Sequence, residues 1–169
     1  MTNNMAGIIK NRHRLKTKDI KDIEEEINNI FSDVNFDKKS SIEIADVDQY
    51  KIIFIENKPC FMFYNDEIFF TLQGLLFFHP KQNFVVVDMG AVKFVTEGAD
   101  VMTPGIVDAD QNIKEDQQVW ICDEKNRKPL AVGIAIIDGS RMINEDKGRA
   151  IKTIHWVGDR LWKFTAKSL

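Results

Sequence analysis

The chain has 169 residues, of which 44% are hydrophobic and 29% are charged, and this ordinary globular usage argues against disorder. Its formal net charge of −3 excludes a wholesale polyanion binder such as a histone-like protein, and we expect no DNA partner, because non-specific affinity for nucleic acid depends on many phosphate contacts. The sequence has no signal-peptide pattern and no stretch that approaches the roughly 20 apolar residues of a membrane span, so we expect a cytoplasmic protein without a membrane partner.

The N-terminal segment is basic. Residues 1–18 contain no acid, whereas the next eight residues contain five acids. This segment is either a solvated arm or an element that binds phosphates of ribosomal RNA. The cations that it offers are Lys10, Arg12, Arg14, Lys16 and Lys18.

The first predicted element is an amphipathic helix. Isoleucines recur at helical spacing after Thr17, whose hydroxyl can cap the helix, and the early acids suit the positive end of the helix dipole. Short strands are predicted in IEIADV, YKIIFIE and CFMFY, with a hairpin turn at 56–59. The segment IFFTLQGLLFFHP predicts a strand and then a short helix, with Thr71 at the helix start and Pro80 beyond its end.

The second half is predicted to be a separate, mostly β domain. The boundary is placed at PKQN, residues 80–83, because a β-branched run follows directly, and it divides the chain into an α+β domain, 1–83, and a second domain, 84–169. Short strands at close spacing favour a barrel or sandwich over a parallel sheet. The predicted elements are strand Phe84–Asp88, helix Ala91–Gly98, strands Asp100–Ile106, Gln118–Cys122 and Ala131–Ile137, short helix Arg141–Glu145, and strands Ile151–Trp156 and Arg160–Phe164.

The segment DMGAVKFVTEGADVMTPGIVDAD is the most informative part of the chain. Gly90 opens the predicted helix, Gly98 closes it, and Pro104-Gly105 turns the chain after a strand. These residues are either turn residues of a barrel or places where an RNA backbone comes close. Lys93 lies in the helix, where its ammonium is either solvated or in reach of a phosphate.

A second group of candidates lies further along the chain. Gly133 interrupts an apolar strand, which predicts a bulge or close packing at a barrel corner. His155 and Trp156 are adjacent on a strand and face opposite sides, so at most one of them lies on an RNA face. Trp156 either packs in the core or stacks on a base. The predicted rim comprises Lys147, Gly148, Arg149, Lys152, His155 and Trp156.

No catalytic or metal-binding pattern is present in the sequence. Cys60 and Cys122 lie far apart without a CxxC or a His partner, so both are expected in the core. The three histidines are isolated, and the sequence lacks GxSxG, HExxH and GxxxxGK[ST]. We therefore expect no enzyme activity, no metal and no cofactor.

A set of ordered motifs resembles the PUA domain, named for pseudouridine synthases and archaeosine transglycosylases. They are G-A-x-K-x-V-x-x-G-A-x-V-x-x-P-G, then A-V-G, K-G and G-D-x-L-W, and they cover about Phe84 to Phe164, half of the chain. Upstream, FFTLQGLLFFHP and the helix RLKTKDIKDIEEEI resemble the family of the malignant T-cell-amplified-sequence protein and its archaeal relatives.

This resemblance implies an α+β pre-PUA domain followed by a PUA mixed-β pseudo-barrel with two short helices. It also implies work at the small ribosomal subunit in initiation, reinitiation or recycling of deacylated tRNA, beside a SUI1-domain partner. RNA would bind along the first PUA helix and the following strand, with help from the last strands. The first of these regions contains Lys93, Gly98, Ala99, Met102, Pro104 and Gly105.

The sequence therefore predicts a non-catalytic, translation-associated RNA-binding protein whose partner is tRNA or rRNA. Acidic residues within the motif, such as Asp100 and Asp108, make a poor continuous phosphate track, so affinity for tRNA alone is expected to be weak. Two alternatives remain: an accessory protein in tRNA or rRNA modification, and a protein-interaction adaptor with a PUA fold.

Overall fold

The computed structural model describes residues 8–167, without the side chain of Lys167. The chain forms two compact units. The first contains the chain up to Pro80 together with the segment from Arg160 onward, and the second contains Lys81–Asp159. Within the described range, no helix is long and apolar enough to cross a membrane.

The first unit is a five-stranded antiparallel sheet with three helices, in the sheet order β1-β2-β3-β4-β5. Two-residue turns join its central strands. Both residues of the Glu56-Asn57 turn have positive φ, 49° and 68°, as a tight hairpin requires, and the predicted hairpin is confirmed. The elements are β1 (Ile9–Arg14), α1 (Thr17–Asn28), β2 (Ile42–Val47), β3 (Tyr50–Ile55), β4 (Lys58–Tyr64), β5 (Glu67–Phe70), α2 (Leu72–Phe78) and α5 (Arg160–Lys167).

An aromatic cluster forms the core of the first unit. The rings of Phe61 and Phe70 have centroids 4.8 Å apart, and Phe31 meets Phe70 edge-on at 5.0 Å. Helix α2 covers this cluster and begins as predicted, since the Thr71 hydroxyl accepts the Gly74 N–H at 3.0 Å. A Cβ at Gly74 would lie 1.9 Å from the Cys60 carbonyl, so this helix packs directly on the backbone of β4. Most of the aromatic run is therefore core, although Phe77 is exposed.

The basic N-terminal segment is a strand, which the sequence did not predict. All six residues of β1 are exposed, so the strand shows no apolar alternation and is held at the sheet edge by its ladder with β2. Helix α1 follows, but Lys16 occupies its cap position and Thr17 is already helical, so the predicted Thr17 cap is wrong.

The second unit is a six-stranded sheet in the order β7-β11-β10-β9-β6-β8. Strands β6 and β9 run parallel, and every other neighbouring pair is antiparallel. The elements are β6 (Phe84–Val87), α3 (Met89–Val95), β7 (Val101–Met102), a 3₁₀ turn (Thr103–Gly105), β8 (Ile106–Ala109), β9 (Gln118–Asp123), β10 (Pro129–Ala135), α4 (Gly139–Asn144) and β11 (Arg149–Trp156).

This sheet is a nearly closed pseudo-barrel around a core of small and β-branched side chains. The 3₁₀ turn joins β7 directly to β8, the two strands at opposite ends of the sheet order. Gly133 lies where the register of β10 with β11 shifts, and a Cβ there would lie 2.5 Å from Ile151 Cγ2. The predicted bulge and close packing are both present, and the α+β class with a PUA-type pseudo-barrel and two short helices is confirmed.

Two predicted strands differ from the structure. Residues from Arg160 form helix α5, because Leu161 and Phe164 are buried at helical spacing, and the predicted strand Arg160–Phe164 is wrong. The predicted strand Asp100–Ile106 is interrupted by the 3₁₀ turn, where Pro104 occupies a first-turn position that suits its missing N–H.

Candidate RNA-binding surface

A groove of about 660 Å³ lies between α3 and the β7 segment of the second unit. We name it the α3 groove. Four of the six residues nominated in this region line it, namely Ala99, Met102, Pro104 and Gly105. Its other lining residues are Asp88, Gly90, Ala91, Phe94, Val95, Asp100 and Val101.

One end of the groove is fixed by Asp88. Its carboxylate accepts the Ala91 N–H at 2.8 Å, which caps α3, and its own N–H donates to the Gly105 carbonyl at 2.9 Å. A Cβ on Gly105 would lie 3.0 Å from Ala91 Cβ, so the glycine lets the 3₁₀ turn approach the helix. The Gly90-Ala91 and Pro104-Gly105 pairs of the motif thus form one wall of the α3 groove.

The other end of the groove depends on Gly98 and Trp156. Gly98 has a φ of +86°, and a Cβ there would lie 2.6 Å from the Trp156 ring. Trp156 is half-buried and packs against the barrel core. The indole of Trp156 therefore supports the turn after α3. This contact corresponds to the first of the two alternatives predicted for Trp156, which is packing in the core.

Two large apolar side chains of the groove are open to solvent. Phe94 is 58% exposed and Met102 is 47% exposed. Aromatic rings on an open face offer stacking surfaces for unpaired bases. Phe94 was missed from the sequence, because an aromatic residue inside an apolar run resembles core, whereas in α3 the buried residue is the neighbouring Val95.

Cations lie beside the groove, but one of them is neutralised. Lys93 is exposed on α3. Arg149 Nη1 lies 2.7 Å from Asp100 Oδ2, so this arginine is held by an acid of the groove itself. The Gly148 carbonyl accepts both the N–H and the hydroxyl of Thr103, at 2.9 and 3.0 Å, which places the exposed Lys147-Gly148-Arg149 segment against the 3₁₀ turn.

The nomination of His155 is corrected. Its side chain is 1% exposed, and its Nδ1 lies 2.8 Å from Asp159 Oδ2, which also accepts the Trp156 N–H at 3.0 Å. The ring is therefore buried and held by Asp159, so it offers no surface to RNA in this structure. Lys152, on the same strand, is exposed.

The N-terminal cations belong to the first unit, and Arg12 has structural contacts. Its guanidinium pairs with Glu43 at 2.8 Å, donates to Asn57 Oδ1 and lies 4.3 Å from the Phe54 ring centroid. The remaining four cations, Lys10, Arg14, Lys16 and Lys18, are exposed.

No group of three or more His, Cys, Asp or Glu side chains that could hold a metal ion is found in residues 8–167. Burial raises the pKa of the Cys60 thiol to about 12 and that of the Cys122 thiol to about 11, so both are protonated and unreactive at neutral pH.

Comparison with known families and proteins supports the reading of both units. Residues 83–157 match the PUA domain, and residues 11–77 match the domain of unknown function DUF1947. An uncharacterized protein of Methanocaldococcus jannaschii is 46% identical, over 92% of this chain and 98% of its own. Translation machinery-associated protein 20 of Saccharomyces cerevisiae is 30% identical, over 77% of this chain and 76% of its own.

Solved structures share the whole fold. A hypothetical protein of Pyrococcus horikoshii has a TM-score of 0.82 and 37% identity, over 91% of this chain and 99% of that chain. A PUA-domain protein of Aeropyrum pernix has a TM-score of 0.86 and 27% identity, over 96% and 95% of the two chains. The chain therefore belongs to the family of PUA-domain proteins that includes translation machinery-associated protein 20 and malignant T-cell-amplified sequence 1.

Proposed function

We propose that this protein binds RNA through the α3 groove and acts, without catalysis, with the translation machinery. The observation that carries the proposal is the groove itself. Motif residues bring an exposed Phe94 and an exposed Met102 together in a concave site, and the exposed Lys93 precedes Phe94 on α3. A ring, a thioether and a cation at one surface suit an unpaired base and its phosphate.

Two acidic residues in the α3 groove limit which kind of RNA can bind there. Asp88 caps α3 and Asp100 pairs with Arg149, so both carboxylates are engaged by protein groups. A phosphate backbone laid along the groove would still be repelled by them. The groove therefore accepts bases at an unpaired end or loop while the backbone runs outside, which favours tRNA or an exposed rRNA segment over a continuous duplex.

The names of the relatives suggest the cellular process in which this protein acts. Translation machinery-associated protein 20 is named for the translation machinery, and we extend that association to the small ribosomal subunit in initiation, reinitiation or recycling. The first unit would then contact the subunit or a SUI1-domain protein, the partner that the family implies.

The test is binding of labelled total tRNA and of purified small subunits at two salt concentrations, with Phe94→Ala. Loss of one stacked base costs about 1–3 kcal/mol, so we expect affinity for RNA to fall about 5- to 150-fold. The matched control is Phe77→Ala, since Phe77 is 39% exposed on α2 of the first unit and lies outside the groove.

Three results would separate the readings. Salt-sensitive binding to subunits that Phe94→Ala weakens and Phe77→Ala leaves unchanged supports the proposal. Binding to free tRNA alone would favour the accessory role in RNA modification. Absence of binding to either RNA would reject the proposal and leave the adaptor.

A further inference from the structure

The β9–β10 turn of the second unit holds the densest group of exposed cations on the PUA barrel, and neither the motifs nor the groove includes it. Three of the four residues 125–128 are cationic: Lys125, Arg127 and Lys128 are all exposed. We name this segment the basic turn. Since the groove itself repels a phosphate backbone, RNA that enters it needs cations beyond its edge.

Asp123, which precedes the basic turn, faces inward. Asp123 is 5% exposed, and its carboxylate accepts the backbone N–H groups of Lys125, Asn126 and Lys128, at 2.9, 2.7 and 3.3 Å. Its charge therefore organises the turn backbone. The three cationic side chains are carried on a fixed loop and project from it, which lowers the entropy that is lost when they bind phosphates.

The basic turn starts beside the α3 groove. Strands β6 and β9 are parallel, with Val87 opposite Asp123, so both end at the same edge of the sheet. The Glu124 N–H donates to the Val87 carbonyl at 3.0 Å, and the Glu124 carboxylate accepts the Met89 N–H at 2.8 Å. Gly90, one residue further along α3, already lines the groove.

The cations of the basic turn are less neutralised than the Arg149 rim. Arg149 pairs with Asp100 at 2.7 Å, whereas Arg127 lies 3.9 Å from Asp108, at the outer limit of an ion pair. Within residues 8–167, Lys125 and Lys128 have no carboxylate in ion-pair range. More positive charge is therefore available to a phosphate at the basic turn.

We infer that the basic turn binds the phosphate backbone of the RNA whose unpaired bases occupy the α3 groove. This inference rests on the proposed function. It adds a path for the RNA, which leaves the α3 groove past Asp88 toward β9. Lys125, Arg127 and Lys128 each neutralise a phosphate, and the turn adds affinity without reading sequence.

The experiment compares tRNA binding by K125Q/R127Q/K128Q with binding by K21Q/K38Q/K39Q, a control in the first unit with the same change in net charge at exposed lysines. A single-strand phosphate contact has a salt slope of about 0.7 and contributes about fivefold at about 0.1 M salt, so three contacts predict a loss on the order of 100-fold. The slope of log affinity against log salt should also fall by about 2. The control should bind like the unmodified protein.

Two further variants are measured beside K125Q/R127Q/K128Q: one keeps the charges of the basic turn, and the other changes the α3 groove. K125R/R127K/K128R should retain most of the affinity, because it keeps three positive charges and the neutralisation of phosphates depends on charge. If K125Q/R127Q/K128Q binds like its control while Phe94→Ala still weakens binding, the basic turn is not a contact and the groove proposal stands. If neither variant weakens binding, the proposed function itself fails.

Discussion

Strand β1 and the basic turn are both rich in cations, yet their acids are placed differently. On β1, Arg12 pairs with Glu43 at 2.8 Å and Lys10 lies opposite Asp46, so acids of the neighbouring strand face cations at the surface. Beside the basic turn, Asp123 is turned into the protein and binds backbone N–H groups, and the exposed Glu124 accepts the Met89 N–H. We therefore expect the position of the acids, more than the number of cations, to decide which basic segment is available to RNA.

The largest expected effect comes from removing the inward acid. Asp123→Asn should lower the free energy of unfolding by about 2 kcal/mol at pH 7, because hydrogen bonds to a charged acceptor are the strong ones. It should also weaken RNA binding by loosening the basic turn. Chemical denaturation and tRNA binding measure the two effects, and Asp66→Asn, at an exposed position in a turn of the first unit, is the control.

The pH dependence of the same variant identifies the cause. The Asn126 backbone N–H, followed by those of Lys128 and Lys125, holds the pKa of Asp123 below its ordinary value of 3.8. A lowered pKa stabilises the folded state above the unfolded value, and this contribution is lost as the pH falls through the folded value. The stability difference between Asp123→Asn and the unmodified protein should therefore shrink below about pH 4; a difference that stays constant would mean that charge is not involved.

A smaller effect is expected on β1. Arg12→Gln should reduce the free energy of unfolding by about 1 kcal/mol, since it removes an ion pair and a cation–π contact. Affinity for tRNA should stay unchanged, because the Glu43 pair already occupies this guanidinium. Thermal unfolding and tRNA binding give both readouts, and a clear loss of affinity with normal stability would place β1 in the RNA surface after all.

The smallest effect would come from removing the acids opposite β1. Glu43→Gln combined with Asp46→Asn leaves the cations of β1 without their facing carboxylates, and we expect affinity for tRNA at low salt to rise about threefold. Filter binding at two salt concentrations measures the gain, which should disappear at high salt. Unchanged affinity at low salt would show that neutralisation is not what keeps this strand from RNA.

Much of the fold was predictable because its signals are local. The tight turn at Glu56-Asn57 and the Thr71 cap each need particular residues and were found from them. Strand β1 was missed because a strand exposed on both faces has no apolar period. Helix α5 was missed although Leu161 and Phe164 carry helical spacing, since the aromatic content of this short segment also suits a strand.

The candidate surface was predictable only where backbone shape demands particular residues. Gly98 and Gly105 were singled out from the sequence as turn residues, and in the structure a side chain at either position would meet a ring or a helix. The exposure of Phe94 and the burial of His155 depend on how the helices and strands pack against one another. The residue type alone does not reveal this packing. The basic turn was overlooked because a charged hairpin turn is commonly just solvated, and only the parallel pairing of β6 with β9 brings it beside the groove.

The arrangement of the chain also sets an order of events during synthesis. Asp48, in the turn after β2, pairs at 2.9 Å with Arg160, which is 112 positions away. Everything that builds the second unit is translated between these two residues. At about 5–20 residues per second, the nascent first unit waits roughly 6–22 s for its last helix. The barrel can fold during this delay, so the second unit should be complete before the first acquires its full set of contacts.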